Sequence, residues 1–296
     1  MLDIIFLGTA GSAPTKKRSL PSTYLFYDGD ALLFDCGEGT QMQIIKLGLS
    51  PNKIRAIFIS HIHGDHVIGI AGLVRTLALN NRTEELKIFI PKGFEKAITS
   101  LIKFDKAIIN YSIKILPIKR GVIFSTKKYQ VSAFKLNHTV MTYGFAFSEN
   151  EKLKFDVQKC KSLGIKGDMF KHLELNGKII INKNKILLKE VSYKKKGLKV
   201  IYATDTRPTK ETITNAMHAD LLIHESSYTQ ESIELAKSRK HSTVTEAATI
   251  AKTAKVTQLV LTHISARYKD DFELIKEGKS IFKNTSVAFD GMKLQL

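Results

Sequence analysis

The stretch Ser60-His61-Ile62-His63-Gly64-Asp65-His66 constrains this chain more than any other. It follows directly on an apolar run, Ile54–Ile59, that reads as a buried strand. Three imidazoles and a carboxylate so close together, at the end of such a strand, are costly to explain as structure. In extended backbone alternate side chains point the same way, so His61 and His63 converge on one point. Gly64 then turns the chain, and Asp65 and His66 face a second point. Imidazole and carboxylate donors without thiolate suit Zn²⁺, with Mn²⁺ or Fe²⁺ as alternatives. A fold that carries this segment must bring further donors to the same strand end.

The pattern on either side supplies such a fold. Up to residue 149 strand and helix signals alternate. Strands are predicted at Ile4–Leu7, Tyr24–Tyr27, Leu32–Asp35, Ile54–Ile59, Leu86–Ile90, Ile113–Ile118, Tyr129–Leu136 and Tyr143–Phe147. Helices are predicted at Gln41–Leu47, Val67–Leu79 and Phe94–Phe104. From residue 200 the alternation resumes, with strands Leu198–Tyr202, Leu221–His224, Gln258–Thr262 and one near Ser286–Phe289. Helices at Thr209–Met217, Gln230–Ser238, Val244–Ala254 and Phe272–Phe282 separate them. Two strand-rich halves with helices on their outer faces predict an α/β four-layer αββα sandwich, residues 1–149 giving one half and 200–296 the other.

Residues 150–199 break the rhythm. They hold fourteen lysines against five acidic residues, half of the net charge of +18. Lys178–Val191 alternates apolar and basic residues like a two-stranded ribbon, with turn chemistry at Asn176-Gly177 and Asn182-Lys183-Asn184. Its apolar content reads as too small for a core of its own, so the segment is expected to protrude as a basic arm. Charge so concentrated points to a polyanionic partner. The longest apolar runs fall well short of a bilayer span, which argues against a membrane protein. The N-terminus reads as a strand and not as a signal peptide. Two isolated cysteines, Cys36 and Cys160, suit a reducing, cytoplasmic setting and are expected to be small buried residues.

Three later residues stand where the first motif needs them. His138, Asp205 and His263 each follow an apolar strand, at the ends where sheet-based sites collect. The order HxHxDH, lone histidine, Ala203-Thr204-Asp205-Thr206 and terminal histidine resembles the metallo-β-lactamase superfamily across nearly the whole chain. The resemblance implies one ion held by His61, His63 and His138, another by Asp65, His66 and His263, and Asp205 between them. That makes two Zn²⁺ per subunit.

Within the superfamily the chain resembles the ribonuclease Z family of tRNA 3′-processing endonucleases. The resemblance rests on Phe6-Leu7-Gly8-Thr9, Phe34-Asp35-Cys36-Gly37-Glu38-Gly39-Thr40-Gln41, Asp205-Thr206-Arg207-Pro208, His224-Glu225, His241-Ser242-Thr243 and Thr262-His263-Ile264-Ser265-Ala266-Arg267-Tyr268. It implies phosphodiester hydrolysis on precursor tRNA, leaving a 3′-hydroxyl on the tRNA body and a 5′-phosphate on the trailer, by a homodimer. Asp65 would accept the proton of the attacking water, and His241, oriented by Glu225, would protonate the leaving oxygen. The alternative for that pair is a buried structural contact. Lys16, Arg18, Arg207 and Arg267 are candidate phosphate contacts, although Arg207 has a structural carboxylate as its alternative partner. The loop Pro14-Thr15-Lys16-Lys17-Arg18-Ser19 resembles the family's PxKxRN loop with serine in place of asparagine. On the arm, Gly164-Ile165-Lys166-Gly167-Asp168 occupies the place of the family's Gly-Pro tip without the proline, and Lys166 is a further phosphate candidate. Two other readings compete: a small-substrate hydrolase on the same fold, which would not need the arm, and a silent RNA-binding module, which would not need a complete ligand set. His172 and His218 lie outside any ligand pattern and read as surface residues.

Overall fold

The computed structural model describes residues 1–103, 108–182 and 184–296. Two seven-stranded sheets face each other. The first runs Lys293–Gln295, Leu2–Gly8, Ser22–Tyr27, Asp30–Phe34, Ile54–Phe58, Leu86–Ile90 and Ile113–Pro117. The second runs Thr285–Val287, Gln258–Thr262, Leu221–Glu225, Lys199–Ala203, Tyr143–Glu149, Tyr129–Lys135 and Gly121–Ser125. In each, one end pairs antiparallel and the other parallel, so the parallel strands deliver their C-terminal ends to a common rim.

Strand alternation sorts the side chains into layers. Leu2, Ile4 and Phe6 enter the core between the sheets, while Ile5 and Leu7 face the first helical layer. On the other sheet Phe145 and Phe147 point inward and Ala146 outward. The inter-sheet core is rich in rings: Phe58 stacks on Phe89 at 5.0 Å and on Phe34 at 5.3 Å between centroids. Offset and edge-on pairs of this kind add to the area term of burial. The helices Thr40–Lys46, Gly69–Leu79 and Glu95–Lys103 cover one outer face, and Lys210–Ala216, Val244–Thr253 and Phe272–Ile281 the other. This is the four-layer αββα sandwich.

Several elements differ from the sequence expectation. The predicted helix Val67–Leu79 is two, Gly64–Val67 and Gly69–Leu79. Gly69 at the break packs on Gly37: a Cβ there would lie 2.0 Å from the Gly37 carbonyl oxygen. The predicted helix Phe94–Phe104 runs Glu95–Lys103, with Phe104 outside the described residues. Two strands of the large sheets were not foreseen, Gly121–Ser125 and the terminal Lys293–Gln295. Both are short edge strands whose existence depends on a distant partner more than on local pattern. The terminal strand returns to the first sheet and pairs with Leu2–Gly8.

The arm also corrects an expectation. Its strand Lys152–Phe155 pairs with Ser192–Lys195 as a ribbon that leaves the sandwich. Beyond it lie helices Val157–Ser162 and Met169–Asn176, the hairpin Lys178–Ile181 with Asn184–Leu187, and helix Leu188–Val191. The turn expected at Asn182-Lys183-Asn184 contains Lys183, which lies outside the described residues. The segment has a small core after all: Cys160, Ile165, Leu173, Ile186 and Val191 are buried together, and Phe155 packs edge-on against Phe170 at 5.0 Å. Before Lys178 the apolar residues are scattered among lysines with only a weak period, yet two helices and the hairpin gather them. Gly164 and Gly167 take positive φ of 74° and 53°, turning the chain between the helices while Ile165 inserts into this core. Among the described residues no helix is long and apolar enough to cross a membrane.

Candidate metal centre

The rim where the parallel strands end gathers every donor that the sequence singled out. His61, His63, Asp65 and His66 follow Ile54–Phe58, His138 follows Tyr129–Lys135, Asp205 follows Lys199–Ala203, and His263 follows Gln258–Thr262. At three strand ends on this rim the chain turns sharply. Asp35, Asp205 and His263 hold positive φ of 58°, 49° and 57°, a conformation that costs a non-glycine residue about 1–3 kcal/mol and that clusters at functional sites. His263 lies close against Gly11, where a Cβ would meet its ring at 2.8 Å. Only glycine fits there.

Two groups of donors share one carboxylate. His61 Nε2 lies 2.9 Å from His63 Nδ1. Asp205 Oδ2 lies 3.7 Å from both His61 Nε2 and His138 Nε2. On the other side, Asp205 Oδ1 lies 3.1 Å from His263 Nε2 and 3.4 Å from His66 Nε2. Asp65 Oδ2 completes that group, 3.5 Å from His66 Nε2 and 3.8 Å from His263 Nε2. Donors about 2.0–2.2 Å from a tetrahedral ion stand roughly 3.4 Å apart, so both groups have the size of a metal site.

The donor set fits divalent metal on three further counts. The Nε2 atoms of His66 and His263 are buried and make no hydrogen bond, which is expensive unless something else takes their lone pairs. The opposite ring nitrogens are tied down: His61 Nδ1 to Ser60 Oγ at 3.0 Å, His66 Nδ1 to Asp35 Oδ2 at 2.8 Å, and His138 Nδ1 to the Lys240 carbonyl at 3.0 Å. Such partners orient metal-binding imidazoles and fix the tautomer. Third, the buried carboxylates draw positive charge into the centre. Burial opposes the charge on Asp205, but His263, His66, His61 and His241 around it hold its carboxyl well below the usual range. Burial and the neighbouring His66 keep His61 well below the usual histidine range, so it presents a neutral ring. Burial opposes a proton on His66 as well, but Asp35 and Asp205 outweigh it and draw positive charge to that position.

Beside this centre lies a second constellation. His241 Nδ1 donates to Glu225 Oε1 at 2.8 Å and lies 4.0 Å from Asp205 Oδ2. Glu225 is fully buried at the end of Leu221–Glu225 and also takes the Thr206 backbone N–H at 2.7 Å. Burial disfavours charge on His241, but Glu225 and then Asp205 outweigh it and raise its pKa to about 9. The site residues that the sequence reading missed are those behind the donors. Asp35 accepts from Ser60 N, Ser60 Oγ and Tyr202 Oη as well as binding His66. Its place in Phe34-Asp35-Cys36-Gly37, after a buried strand like the other donors, was the available signal.

The candidate phosphate contacts divide. Arg18 is held by Asp271 at 2.6 Å, Thr9 Oγ1 at 2.6 Å and the Ala288 carbonyl at 2.5 Å. Arg207 makes a two-pronged pair with Glu246 and donates to the His241 carbonyl at 2.6 Å, so the structural partner that the sequence left open is occupied. Both guanidinium groups are engaged inside the fold. Lys16 is exposed and lines a cavity of about 500 Å³ with Lys17, Tyr268 and Phe289. Arg267 is exposed and lies over the Tyr228 ring at 4.8 Å. Lys166 is exposed on the arm, and His172 and His218 are exposed away from the centre. Cys36 and Cys160 are buried free thiols.

Comparison with known proteins places this geometry in a family. The family model described as anti-Pycsar protein Apyc1 matches residues 2–197, and that described as β-lactamase superfamily domain matches residues 188–264. The chain is 37% identical to the ribonuclease Z of Nitrosopumilus maritimus, covering all of both proteins. It is 38% identical to the ribonuclease Z of Archaeoglobus fulgidus, covering all of this chain and 98% of the relative. Among solved structures, human tRNase Z, short form, superposes with a TM-score of 0.71 at 26% identity, covering 99% of this chain and 98% of the human one. With such identity across its full length and the donor geometry above, the chain belongs to the ribonuclease Z family within the β-lactamase superfamily.

Proposed function

We propose that this chain is a zinc-dependent endoribonuclease that removes the 3′ trailer from precursor tRNA, leaving a 3′-hydroxyl on the tRNA and a 5′-phosphate on the trailer. One observation carries the chemistry: the Asp205 carboxylate lies between two groups of donors, one oxygen toward each. His61, His63 and His138 would hold one Zn²⁺, Asp65, His66 and His263 the other, and Asp205 both. Two ions held there would supply a nucleophile at neutral pH and neutralise charge growing on a phosphate. The substrate comes from relatives whose names are ribonuclease Z and tRNase Z.

The protein groups then have separable tasks. Asp65 accepts the proton of the attacking water, its Oδ2 steadied by the Ser12 N–H at 3.1 Å. His241, oriented by Glu225, protonates the leaving 3′-oxygen, which is a poor leaving group without a proton. Lys16, Arg267 and Lys166 meet phosphates, while Arg18 and Arg207 act at one remove by holding the walls of the site. The basic arm reads the shape of tRNA, because lysine is a point charge with little base preference.

A homodimer, with one protomer's arm serving the other's centre, goes with this reading. Helix Thr40–Lys46 exposes Met42 and Ile45, and Ile68 is exposed at the start of helix Gly69–Leu79, which packs on it; a second protomer would cover these apolar residues. Sedimentation should show a dimer in the native protein and a monomer in Met42→Glu/Ile45→Glu. A cytoplasmic setting suits the substrate.

The decisive experiment offers purified protein a precursor tRNA with a 3′ trailer, a lactam and an aryl phosphodiester, each with and without chelator, and maps the RNA ends. Cleavage of the precursor to the stated ends, lost with chelator, supports the reading. Turnover of the aryl diester with no cut in the precursor would make this a small-diester hydrolase instead.

A further inference from the structure

Each buried imidazole donor has a group behind its other ring nitrogen. Asp35, Ser60 and the Lys240 carbonyl serve His66, His61 and His138. Behind His263 stands the Ser227 hydroxyl, with Oγ 3.0 Å from His263 Nδ1. The same Oγ lies 2.8 Å from Glu225 Oε2, 3.1 Å from the His263 carbonyl and 3.4 Å from His241 Nδ1. Ser227 is buried, so these contacts are made away from bulk solvent.

A hydroxyl has one proton to give. The closest acceptor is the Glu225 carboxylate, and charged acceptors make the stronger bonds. With its proton on Glu225, the Ser227 oxygen is left to accept, and the group facing it is His263 Nδ1. That bond requires the proton of His263 to sit on Nδ1. The lone pair is then on Nε2, the buried atom that makes no hydrogen bond and faces Asp205 Oδ1 at 3.1 Å.

We infer that Ser227 is a positioning residue for metal binding: a hydroxyl relay from Glu225 that holds His263 in the tautomer with a free Nε2. The arrangement also gives Glu225 two clients. Its Oε1 takes the N–H of His241, and its Oε2, through Ser227, orients the ring of a metal ligand. One buried carboxylate therefore sets both the candidate acid and one side of the metal centre. The second of these dependences is not visible from the His224-Glu225 motif. The inference rests only on the metal-centre part of the proposed function, so a failure to cut precursor tRNA leaves it standing.

The test uses full-length protein and Zn²⁺ alone. Titration against a competing chelator should resolve two binding steps in the native protein. In Ser227→Ala the step assigned to Asp65, His66 and His263 should weaken by about 10–100-fold, the usual effect of losing a partner behind a ligand. The step assigned to His61, His63 and His138 should move far less. Ser227→Thr, which keeps the hydroxyl, should restore affinity where Ser227→Val, of the same shape without it, does not. Imidazole ¹⁵N spectra of metal-free protein give an independent reading: His263 should be the Nδ1–H tautomer in the native and Thr proteins and a mixture in Ala and Val. Equal affinity in the native, Ala and Val proteins would overturn the inference. So would a loss shared by Thr and Val alike, or an unchanged His263 tautomer in Ser227→Ala.

Discussion

The sandwich and the arm solve the same problem with different means. Each strand of the sandwich sends alternate residues to two apolar layers, so a ring-rich core between the sheets and a helix-covered core outside them form together. The donors ride on the ends of strands that this packing makes rigid. The arm closes on five buried side chains and leaves the body through a ribbon in which Lys152 faces Lys195 and Leu153 faces Lys194. Its seat is Glu149, which accepts the Leu198 N–H at 3.1 Å, pairs with Lys152 Nζ at 2.5 Å and receives the Tyr27 hydroxyl. The difference teaches a division of labour: chemistry needs donors fixed to fractions of an ångström, whereas attraction of a polyanion needs only charge held at the right distance.

That division can be broken most severely at the centre. Asp65→Ala should slow precursor cleavage by at least the ~10²–10⁴-fold typical of a lost proton acceptor, with the lost donor adding to it. Binding of tRNA should stay within a few-fold, since many lysines share that task. Single-turnover rates and a gel-shift titration report the two separately. Near-normal cleavage would remove Asp65 from the mechanism.

His241→Ala sharpens the comparison within the chemistry itself. An RNA 3′-oxygen needs a proton to leave and an aryloxide does not, so the loss on RNA should be about 10²–10⁴-fold and small on the aryl diester. Equal losses on both substrates would mark His241 as a structural partner of Glu225.

Replacing residues 152–195 with a short Gly/Ser linker tests the other region while keeping the Glu149–Leu198 contact. None of the metal donors lies in the segment, so aryl diester turnover should survive. Each phosphate met by lysine contributes about 0.7–0.9 to the slope of log affinity against log salt, so losing roughly four contacts should flatten it by about three. Unchanged affinity and slope would show that the arm is not the tRNA-binding element.

The smallest effect is expected at the joint. Burial works against the charge on Glu149, but Lys152, Tyr27 and the Leu198 N–H outweigh it and hold its pKa at about 2. The unfolded value is near 4.3. A carboxylate depressed in this way adds stability above roughly pH 4.3 and loses it as pH falls toward 2. Native protein should therefore exceed Glu149→Gln by on the order of 1 kcal/mol at neutral pH, given that Lys152 is half exposed. The gap should close across that acid window. Thermal melts of both proteins from pH 6 to pH 2 would show it, and a gap independent of pH would mean that shape and not charge holds the joint.

Much of this was legible in the residues. His61 to His66 announced a candidate metal site because no structural role asks for so many donors after a buried strand, and short apolar runs between turn residues marked most strands of both sheets. The arm's charge was equally plain, but its core was not. Cys160, Ile165, Leu173, Ile186 and Val191 are separated by lysines and turns, and only the folded chain brings them into contact. Arg18 and Arg207 show the same limit. A guanidinium has no sequence signature that separates a phosphate contact from a partner of Asp271 or Glu246, residues far along the chain.

What the sequence determined by itself was the donor inventory, the periods that place each donor at a strand end, and the segregation of charge into residues 150–199. Those are local properties, set by residue type and spacing. The tertiary structure decided which atoms meet: that Asp205 turns one oxygen to each group, that Asp35 and Ser227 stand behind His66 and His263, and that Glu225 serves His241 and His263 together. Those contacts join strands distant in sequence at a single rim. Their geometry is fixed by how the two sheets pack, which no local pattern encodes.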